Sequence, residues 1–294
     1  MKRHLSFGDH LFDGINYTLL FMLIVVTLYP LLHVLMTSFA SPAAITKYGS
    51  MLIWPEGFNF KSYQYMFTNP MIAIGYRNTL FIVTVGTLLS MLLTAFGAYA
   101  LSCRWLMGRS FLVILITIPM FFGGGLIPGY LLVRQVGLYN TIWALIIPGA
   151  ISSWNMIMMR TYFQGIPESL HESARIDGAN DFHILFRIIL PIAVPVLAVM
   201  ILFYAVGYWN AWFGASIYLK DRNLFPLQLV MRGILIKGSQ RDFDTGYVSG
   251  ANKVEIFKGL KYATVVVSTV PILCVYPFLQ RYFVKGIMIG SIKG

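Results

Sequence analysis

The chain has 294 residues, of which 57% are hydrophobic and only 11% are charged. Soluble domains average about 25% charged residues, so this composition excludes a soluble globule and predicts an all-α polytopic membrane protein. The formal net charge of +11 would indicate nucleic-acid binding in a soluble domain. Here most basic residues flank apolar runs, as they usually do around membrane spans, and we expect no nucleic-acid partner.

A helix needs about 20 apolar residues to cross the hydrocarbon core, and six runs meet that requirement. The first run is too long for the core of a cleaved signal peptide, so we interpret it as an uncleaved span. The third contains residues 123–125, all glycine, and Pro128, which predict a kink or a broken helix. The six predicted transmembrane helices lie approximately at residues 15–39, 79–101, 111–132, 141–163, 192–213 and 262–283.

The short loops predict the orientation of the chain. Loop 102–110 contains Arg104 and Arg109, whereas the next loop, 133–140, contains only Arg134. Because short cytoplasmic loops are enriched in Lys and Arg, we expect both termini to be cytoplasmic. The two long segments on the other face carry more basic residues in total, but long loops escape this rule.

The predicted spans contain few ionisable residues, namely His33 and the span-end residues Arg160 and Arg281. A proton- or sodium-coupled transporter usually needs ionisable groups within the membrane. The sequence also lacks the GxxxxGK[ST], HExxH and GxSxG patterns, and its scattered histidines predict no metal site. We therefore expect no catalytic residue, metal or cofactor in this chain, so a partner must supply the energy for any transport.

Charged residues concentrate in residues 171–191, HESARIDGANDFHILFRIILP, between the fourth and fifth spans. Such a stretch cannot lie in hydrocarbon, and it predicts a helix–turn–helix elbow at a membrane face. Pro167 fits a first helical position, and Gly178 fits a left-handed cap that ends the first helix. Either Asn180 or Asp181 can cap the second helix.

The elbow resembles the cytoplasmic loop of binding-protein-dependent ABC importer permeases, which reads EAA, three residues, Gly, nine residues, Ile-x-Leu-Pro. The sole departure is serine at the first alanine; the matching residues are Glu172, Ser173, Ala174, Gly178, Ile188, Leu190 and Pro191. Residues 174–179 (ARIDGA), 137–148 and 279–294 are similar to the carbohydrate-uptake branch, and specifically to the second, maltose-type permease. The resemblance covers roughly residues 76–294, and the most similar subgroup takes up polysaccharide-derived oligosaccharides.

The resemblance implies a type I ABC importer permease fold with six transmembrane helices, in three parts. Residues 1–75 would hold an N-terminal cytoplasmic segment, the first helix and an external segment. Residues 76–280 would form the transmembrane domain, with five helices and a coupling loop at 164–191, and residues 281–294 a cytoplasmic tail. The location implied is the bacterial cytoplasmic (inner) membrane, with multiple spans.

The resemblance also implies partners. These are a second permease subunit in a heterodimer, two ATP-binding subunits that hold ATP and Mg, an extracytoplasmic solute-binding protein, an oligosaccharide substrate and membrane lipid. The chain itself would not be an enzyme, because ATP hydrolysis belongs to the ATPase subunits.

In this family the elbow, here residues 166–191, is a coupling helix seated in a cleft of the ATPase, whose motion would push on the fifth span. The residues implied for coupling are Leu170, Glu172, Ser173, Ala174, Arg175, Asp177, Gly178, Ile188, Leu190 and Pro191. The alternative is an amphipathic helix that lies at the lipid interface. The tail is implied to reach the ATPase dimer interface through Gly286, Gly290, Lys293 and Gly294, and the alternative there is a frayed terminus.

Sugars bind to aromatic faces and to amide or hydroxyl groups, so we hypothesise that five residues line part of the substrate pathway: Trp154, Asn155, Tyr208, Trp209 and Asn210. Aromatic residues near span ends also serve as interfacial anchors, which is the alternative. The basic balance of residues 216–261 indicates either an acidic binding protein, a uronate-containing oligosaccharide or ordinary loop solvation.

Two other classes of function are alternatives to the ABC permease. A stand-alone secondary transporter of a small solute would depend on an ion gradient, and the lack of charges in the spans argues against it. A membrane-embedded enzyme would need paired catalytic groups, and the sequence offers none to name.

Overall fold

A computed structural model of the protein describes residues 7–237, 259–274 and 277. This part of the chain forms helices joined by turns and contains no strand, which confirms the all-α prediction. It divides into two compact units, one of residues 7–69, 233–237 and 259–269, the other of residues 70–232, 270–274 and 277. The helices are α1 Phe7–Ser38, α2 Pro42–Tyr48, α3 Lys61–Thr68, α4 Pro70–Ser102, α5 Arg109–Phe121, α6 Leu126–Gln135, α7 Trp143–Ile146, α8 Ser153–Gln164, α9 Glu168–Ile176, α10 Asp181–Ile184, α11 Leu190–Ile192, α12 Val194–Trp209, α13 Phe213–Tyr218, α14 Leu227–Arg232 and α15 Gly259–Cys274.

Two of these helices are long and apolar enough to cross a membrane by themselves, α1 with 32 residues and α4 with 33. Two bent pairs add up to two further spans: α5 with α6, bent by 115°, and Asp181–Ile192 with α12, bent by 87°. The described residues thus contain two to four spans of sufficient length, and the count of six stays a prediction. The break predicted at residues 123–125 is confirmed, since α5 ends at Phe121 and α6 begins after Gly125, which has φ +82°.

The fourth and fifth predicted spans differ from continuous helices. Within residues 141–163 only α7 and α8 are helical, because Pro148 has no N–H to donate and Gly149 disfavours a helix. Ser152 then caps α8 by accepting from the Asn155 N–H at 3.3 Å. At the fifth predicted span, residues 192–213, an 87° bend separates Asp181–Ile192 from α12, which begins at Val194 and ends at Trp209. The sixth span is described only through α15 and residue 277.

Helix α4 is the centre of the second unit and packs against α8 and α12. Its buried positions carry mostly small side chains at helical spacing, which let neighbouring backbones approach closely: Gly75, Thr79, Gly86, Ser90, Thr94 and Ala98. A Cβ atom built on Gly86 would lie 2.8 Å from the Tyr208 ring of α12. The Ser90 and Tyr208 hydroxyls are hydrogen-bonded at 2.9 Å, so small and hydroxyl side chains together position α12 on α4.

The first unit contains α1, α2 and α3. Most side chains of α1 are apolar and exposed, as expected for a helix that faces lipid. A small apolar cluster of Ala40, Ala44, Ile45 and Leu52 lies beyond its end. The His33 Nδ1–H donates to the Leu52 carbonyl oxygen at 2.9 Å, and the ring packs edge-on against Tyr262. These contacts give the histidine of the first predicted span a structural role.

Candidate coupling site

The elbow has the predicted helix–turn–helix form. Helix α9 ends in a left-handed turn at Gly178, φ +78°, where the Gly178 N–H donates to the Arg175 carbonyl at 3.0 Å and the Ala179 N–H donates to the Ala174 carbonyl at 2.9 Å. These two bonds satisfy carbonyls that the helix end leaves free. The cap of the second helix is Asn180, whose Oδ1 accepts from the His183 N–H at 2.8 Å. The Asp181 side chain therefore does not cap this helix and makes other contacts instead.

The first helix begins one residue later than predicted. Pro167 has an extended ψ of 131° and precedes Glu168, the first residue of α9, so it is the capping residue and not the first helical one. The second helix runs from Asp181 to Ile192 and includes one π turn at Leu185–Ile189. Such turns insert an extra residue into a helix, often at functional sites.

Six of the ten residues implied for coupling line one open depression of about 520 Å³ on the elbow: Leu170, Ser173, Ala174, Asp177, Gly178 and Ile188. Ala174 is only 7% exposed and belongs to the apolar cluster of the second unit, so it forms part of the wall. Asp177, the capping residue after α9, is exposed, and Leu170 is 38% exposed. The depression therefore combines a small apolar surface with one acidic side chain at its rim.

The other four coupling residues lie elsewhere on the elbow. Glu172 and Pro191 are exposed, and Leu190 is half-buried against the same apolar cluster. Arg175 points to its own chain: one Nη donates to Asp181 Oδ1 at 3.1 Å, and its guanidinium lies 3.5 Å from the centre of the Trp105 ring. Arg175 is therefore engaged within the permease.

A set of contacts, which we call the tether, joins the elbow to the end of α4. Asp181 Oδ1 accepts from the Tyr99 hydroxyl at 3.3 Å as well as from Arg175. The His171 ring stacks on Tyr99, with 6.0 Å between ring centres, and packs against Trp105 at 6.1 Å. Tyr99, Trp105 and Asp181 were not predicted in this role, because residues far apart in the chain leave no spacing pattern.

Loop 103–108 completes the attachment. Arg104 pairs with Glu168, the first residue of α9, at 2.9 Å. The structure thus places the arginine-containing loop and the elbow at one end of the second unit, as the predicted topology requires. Burial lowers the pKa of His171 below its ordinary value, and the positive charge of Arg175 lowers it further. His171 is therefore neutral at pH 7, and among the described residues its Nδ1 has no hydrogen-bond partner.

The five residues hypothesised for the substrate pathway do not share one surface. Asn155, Tyr208 and Trp209 are buried, whereas Trp154 and Asn210 are exposed. The Tyr208 hydroxyl donates to the Ile146 carbonyl at 3.3 Å in addition to its bond with Ser90, so this side chain also has a structural role. The tail residues Gly286, Gly290, Lys293 and Gly294 lie outside the described residues.

Comparison with known proteins assigns the family. The protein-family model described as "Binding-protein-dependent transport system inner membrane component" matches residues 96–289 of this chain. The chain belongs to this family. The polygalacturonan/rhamnogalacturonan transport system permease protein YtcP of Bacillus subtilis is 41% identical to this permease over 287 residues, which cover 97% of this chain and 99% of that protein. Protein LplC of the same organism is 39% identical over 291 residues, which cover 99% and 98%.

A solved structure agrees with the sequence relatives. The crystal structure of a bacterial ABC transporter involved in the import of the acidic polysaccharide alginate matches this permease with a TM-score of 0.86 and 30% identity, over 95% of this chain and 98% of that chain. This permease is therefore a multi-pass inner-membrane component of a binding-protein-dependent ABC importer. The membership confirms the resemblance read from the elbow and disfavours a stand-alone secondary transporter.

Proposed function

We propose that this permease forms part of the translocation pathway of an ATP-driven oligosaccharide importer. In this proposal a second permease completes the membrane pathway, two cytoplasmic ATPase subunits bind and hydrolyse ATP with Mg, and an extracytoplasmic binding protein delivers the sugar. Both termini are cytoplasmic, and the coupling loop of residues 164–191 lies within a transmembrane domain of residues 76–280. The tail of residues 281–294 reaches the ATPase dimer.

The observation that carries this proposal is the form of the elbow. Its exposed depression has an apolar wall and an acidic rim at Asp177, and it sits on a turn whose backbone conformation Gly178 determines. The tether attaches the same elbow to α4, which packs against α8 and α12. A displacement of the elbow by a partner would therefore move packed helices as a body.

The substrate we propose is an oligosaccharide derived from an acidic polysaccharide. One relative is named for polygalacturonan and rhamnogalacturonan transport, and the alginate transporter imports another acidic polysaccharide. On the proposed outer side, Lys220 and Arg222 are exposed and Arg232 is half-buried against the Trp212 ring. Positive charge near the mouth of the pathway would favour the approach of uronate groups, and uptake that proved insensitive to ionic strength would count against this steering.

Five residues remain proposed for the pathway: Trp154, Asn155, Tyr208, Trp209 and Asn210. Alanine substitutions at Asn155, Trp209 and Asn210 are expected to change the apparent KM for uptake while the binding protein retains its sugar affinity. Unchanged uptake kinetics in all three variants would exclude these positions from the pathway. Tyr208 is a poorer test because its hydroxyl also joins α4 and α7.

Two substitutions test the coupling role. Glu172→Lys reverses an exposed charge, and Gly178→Val places a β-branched side chain at φ +78°, although a Cβ there meets no atom within 4 Å. An L-residue in this region costs about 1–2 kcal/mol, so the turn is strained by its backbone alone. We expect both variants to lose ATP-driven uptake, through either uncoupled ATPase activity or loss of ATPase association.

The matched controls are Glu172→Gln and Gly178→Asn, because asparagine tolerates the left-handed conformation. Reconstituted vesicles measure sugar uptake and ATP hydrolysis together, and the binding protein's sugar affinity is measured separately. Wild-type uptake in both Glu172→Lys and Gly178→Val would overturn the assignment of the elbow as the coupling element.

A further inference from the structure

Three arginines surround a second depression beside the elbow, which we call the arginine pocket. It has a volume of about 640 Å³ and lies where α5 begins, where α8 ends and beside loop 103–108. Its lining includes Arg104, Arg109, Arg160, Ser110, Val113 and Ile114. Neither Arg109 nor Arg160 belongs to the residues proposed for coupling or for the pathway.

The positive charge of this pocket is incompletely neutralised. Arg104 pairs with Glu168, but across the described ranges neither Arg109 nor Arg160 has a carboxylate partner. When the Gln164 amide is oriented with its oxygen towards them, it accepts from both guanidinium groups. Arg160 Nε also donates to the Leu101 carbonyl at 3.1 Å. Two cations that share one neutral amide oxygen leave donors and charge available for an anion.

The position of the pocket at the start of α5 indicates a lipid ligand. Helix α5 has no buried residue, and beyond Arg109 it continues as an apolar sequence, with Phe111 67% and Ile114 61% exposed. Ile114 lies about 7.5 Å along the helix axis from Arg109, given a rise of about 1.5 Å per residue. The arginines therefore stand where a helix passes from a polar loop into an apolar environment, which is the level of lipid phosphates.

We propose that the arginine pocket binds the phosphate group of an anionic membrane lipid. The two guanidinium groups contact the phosphodiester oxygens, the Ser110 hydroxyl offers a further donor, and the acyl chains lie along Val113, Ile114 and the exposed face of α5. Gly108 precedes α5 and makes no side-chain cap, so the positive end of the α5 dipole also lies beside this anion.

The bound phosphate also acts on the elbow through Arg104. This residue lines the arginine pocket and pairs with Glu168 at the start of α9. An anion in the pocket orders loop 103–108 and so holds the start of α9. This consequence rests on the proposed coupling role of the elbow, whereas lipid binding itself does not.

The test uses the assembled complex with its partner subunits, purified in detergent and titrated with phosphatidylglycerol or with phosphatidylcholine, with bound lipid counted by native mass spectrometry. We expect the wild type to prefer phosphatidylglycerol. Each arginine near an anionic group contributes about five-fold in affinity, so Arg109→Gln should weaken binding about five-fold and the Arg109→Gln/Arg160→Gln double variant about 25-fold. The single variant keeps the hydrogen bond between Arg160 and Leu101, so weaker lipid binding in that variant cannot result from loss of this structural contact.

The matched control is Arg187→Gln, since Arg187 is an exposed arginine of the elbow outside the pocket. Equal weakening by Arg187→Gln and Arg109→Gln would show diffuse surface charge and overturn the proposal. Displacement of phosphatidylglycerol by inorganic phosphate at a similar concentration would assign the pocket to a soluble phosphate and overturn the lipid assignment. Unchanged lipid binding with lost ATPase association in the double variant would assign the arginines to a protein contact instead. Loss of coupling in Glu172→Lys with normal lipid binding would leave both proposals standing.

Discussion

Asp181 accepts both hydrogen bonds of the tether between the elbow and α4, so a single substitution can weaken it. Asp181 accepts from Arg175 on α9 and from Tyr99 near the end of α4. Asp181→Ala removes both bonds, whereas Asp181→Asn keeps an acceptor oxygen and removes the charge. If the tether transmits motion from the elbow to α4, both variants should reduce the number of sugars moved per ATP hydrolysed.

The expected magnitude follows from the exposure and the distances. The side chains of Arg175 and Asp181 are 40% and 56% exposed, and such ion pairs contribute about 0.2–1 kcal/mol. The Tyr99 hydroxyl is 3.3 Å away, which is long for an O–H···O bond, so we assign it about 0.5–1 kcal/mol. Asp181→Ala should therefore destabilise the tether by about 0.7–2 kcal/mol, or roughly three- to thirty-fold in its population, and Asp181→Asn by about half that free energy.

These values are small relative to the stability of a folded domain, so the variants are expected to assemble normally. The assay is the ratio of sugar uptake to ATP hydrolysis in reconstituted vesicles, with ATPase association measured by co-purification. Asp181→Glu serves as the conservative control and should restore most of the ratio. Added salt should lower the wild-type ratio towards that of Asp181→Asn, because an exposed ion pair is screened. A wild-type ratio in Asp181→Ala at low salt would refute the role of the tether.

Three further predictions concern packing, protonation and a turn. Gly86→Ala places a methyl group 2.8 Å from the Tyr208 ring. Because hydrogen bonds hold that ring, we expect the free energy of unfolding to fall by about 1–3 kcal/mol, seen as a lower Tm of the complex. An unchanged Tm would mean that α4 and α12 can separate without cost. Burial lowers the pKa of His171 in the folded state, so the unfolded state binds more protons as the pH falls through about 6.5. The stability that the neutral His171 contributes is therefore present above that pH and is lost below it. His171→Gln should remove that part of the pH dependence of Tm, and an identical pH profile would contradict the assignment. Asn140 has φ +59° and its Oδ1 accepts from the backbone amides of residues 220–221 at 2.8 and 2.9 Å, so Asn140→Ala should cost about 1–2 kcal/mol. Asn140→Gly should cost less because it relieves the left-handed backbone, and equal Tm values for the two variants would show that the hydrogen bonds alone matter.

Features that depend on neighbouring residues were predictable from the sequence. The broken helix at residues 123–125 and the turn at Gly178 follow from backbone preferences of glycine, which act within a few residues whatever surrounds them. The membrane environment followed from composition, and the family followed from the spacing of residues 172–191, which the family match confirms. The choice between Asn180 and Asp181 as cap was open, since both side chains suit that position.

Tertiary structure decided that choice and the contacts that surround it. Asp181 is not the cap because its carboxylate is occupied by Tyr99, which lies 82 positions earlier in the chain, and by Arg175. Trp105 contacts the elbow in the same way, since the Arg175 guanidinium lies over its ring. Local pattern specifies where a helix ends and which residues cannot lie in lipid. Which side chains meet depends on how α4, loop 103–108 and the elbow pack together, and that packing is set by contacts between residues that no short sequence pattern connects.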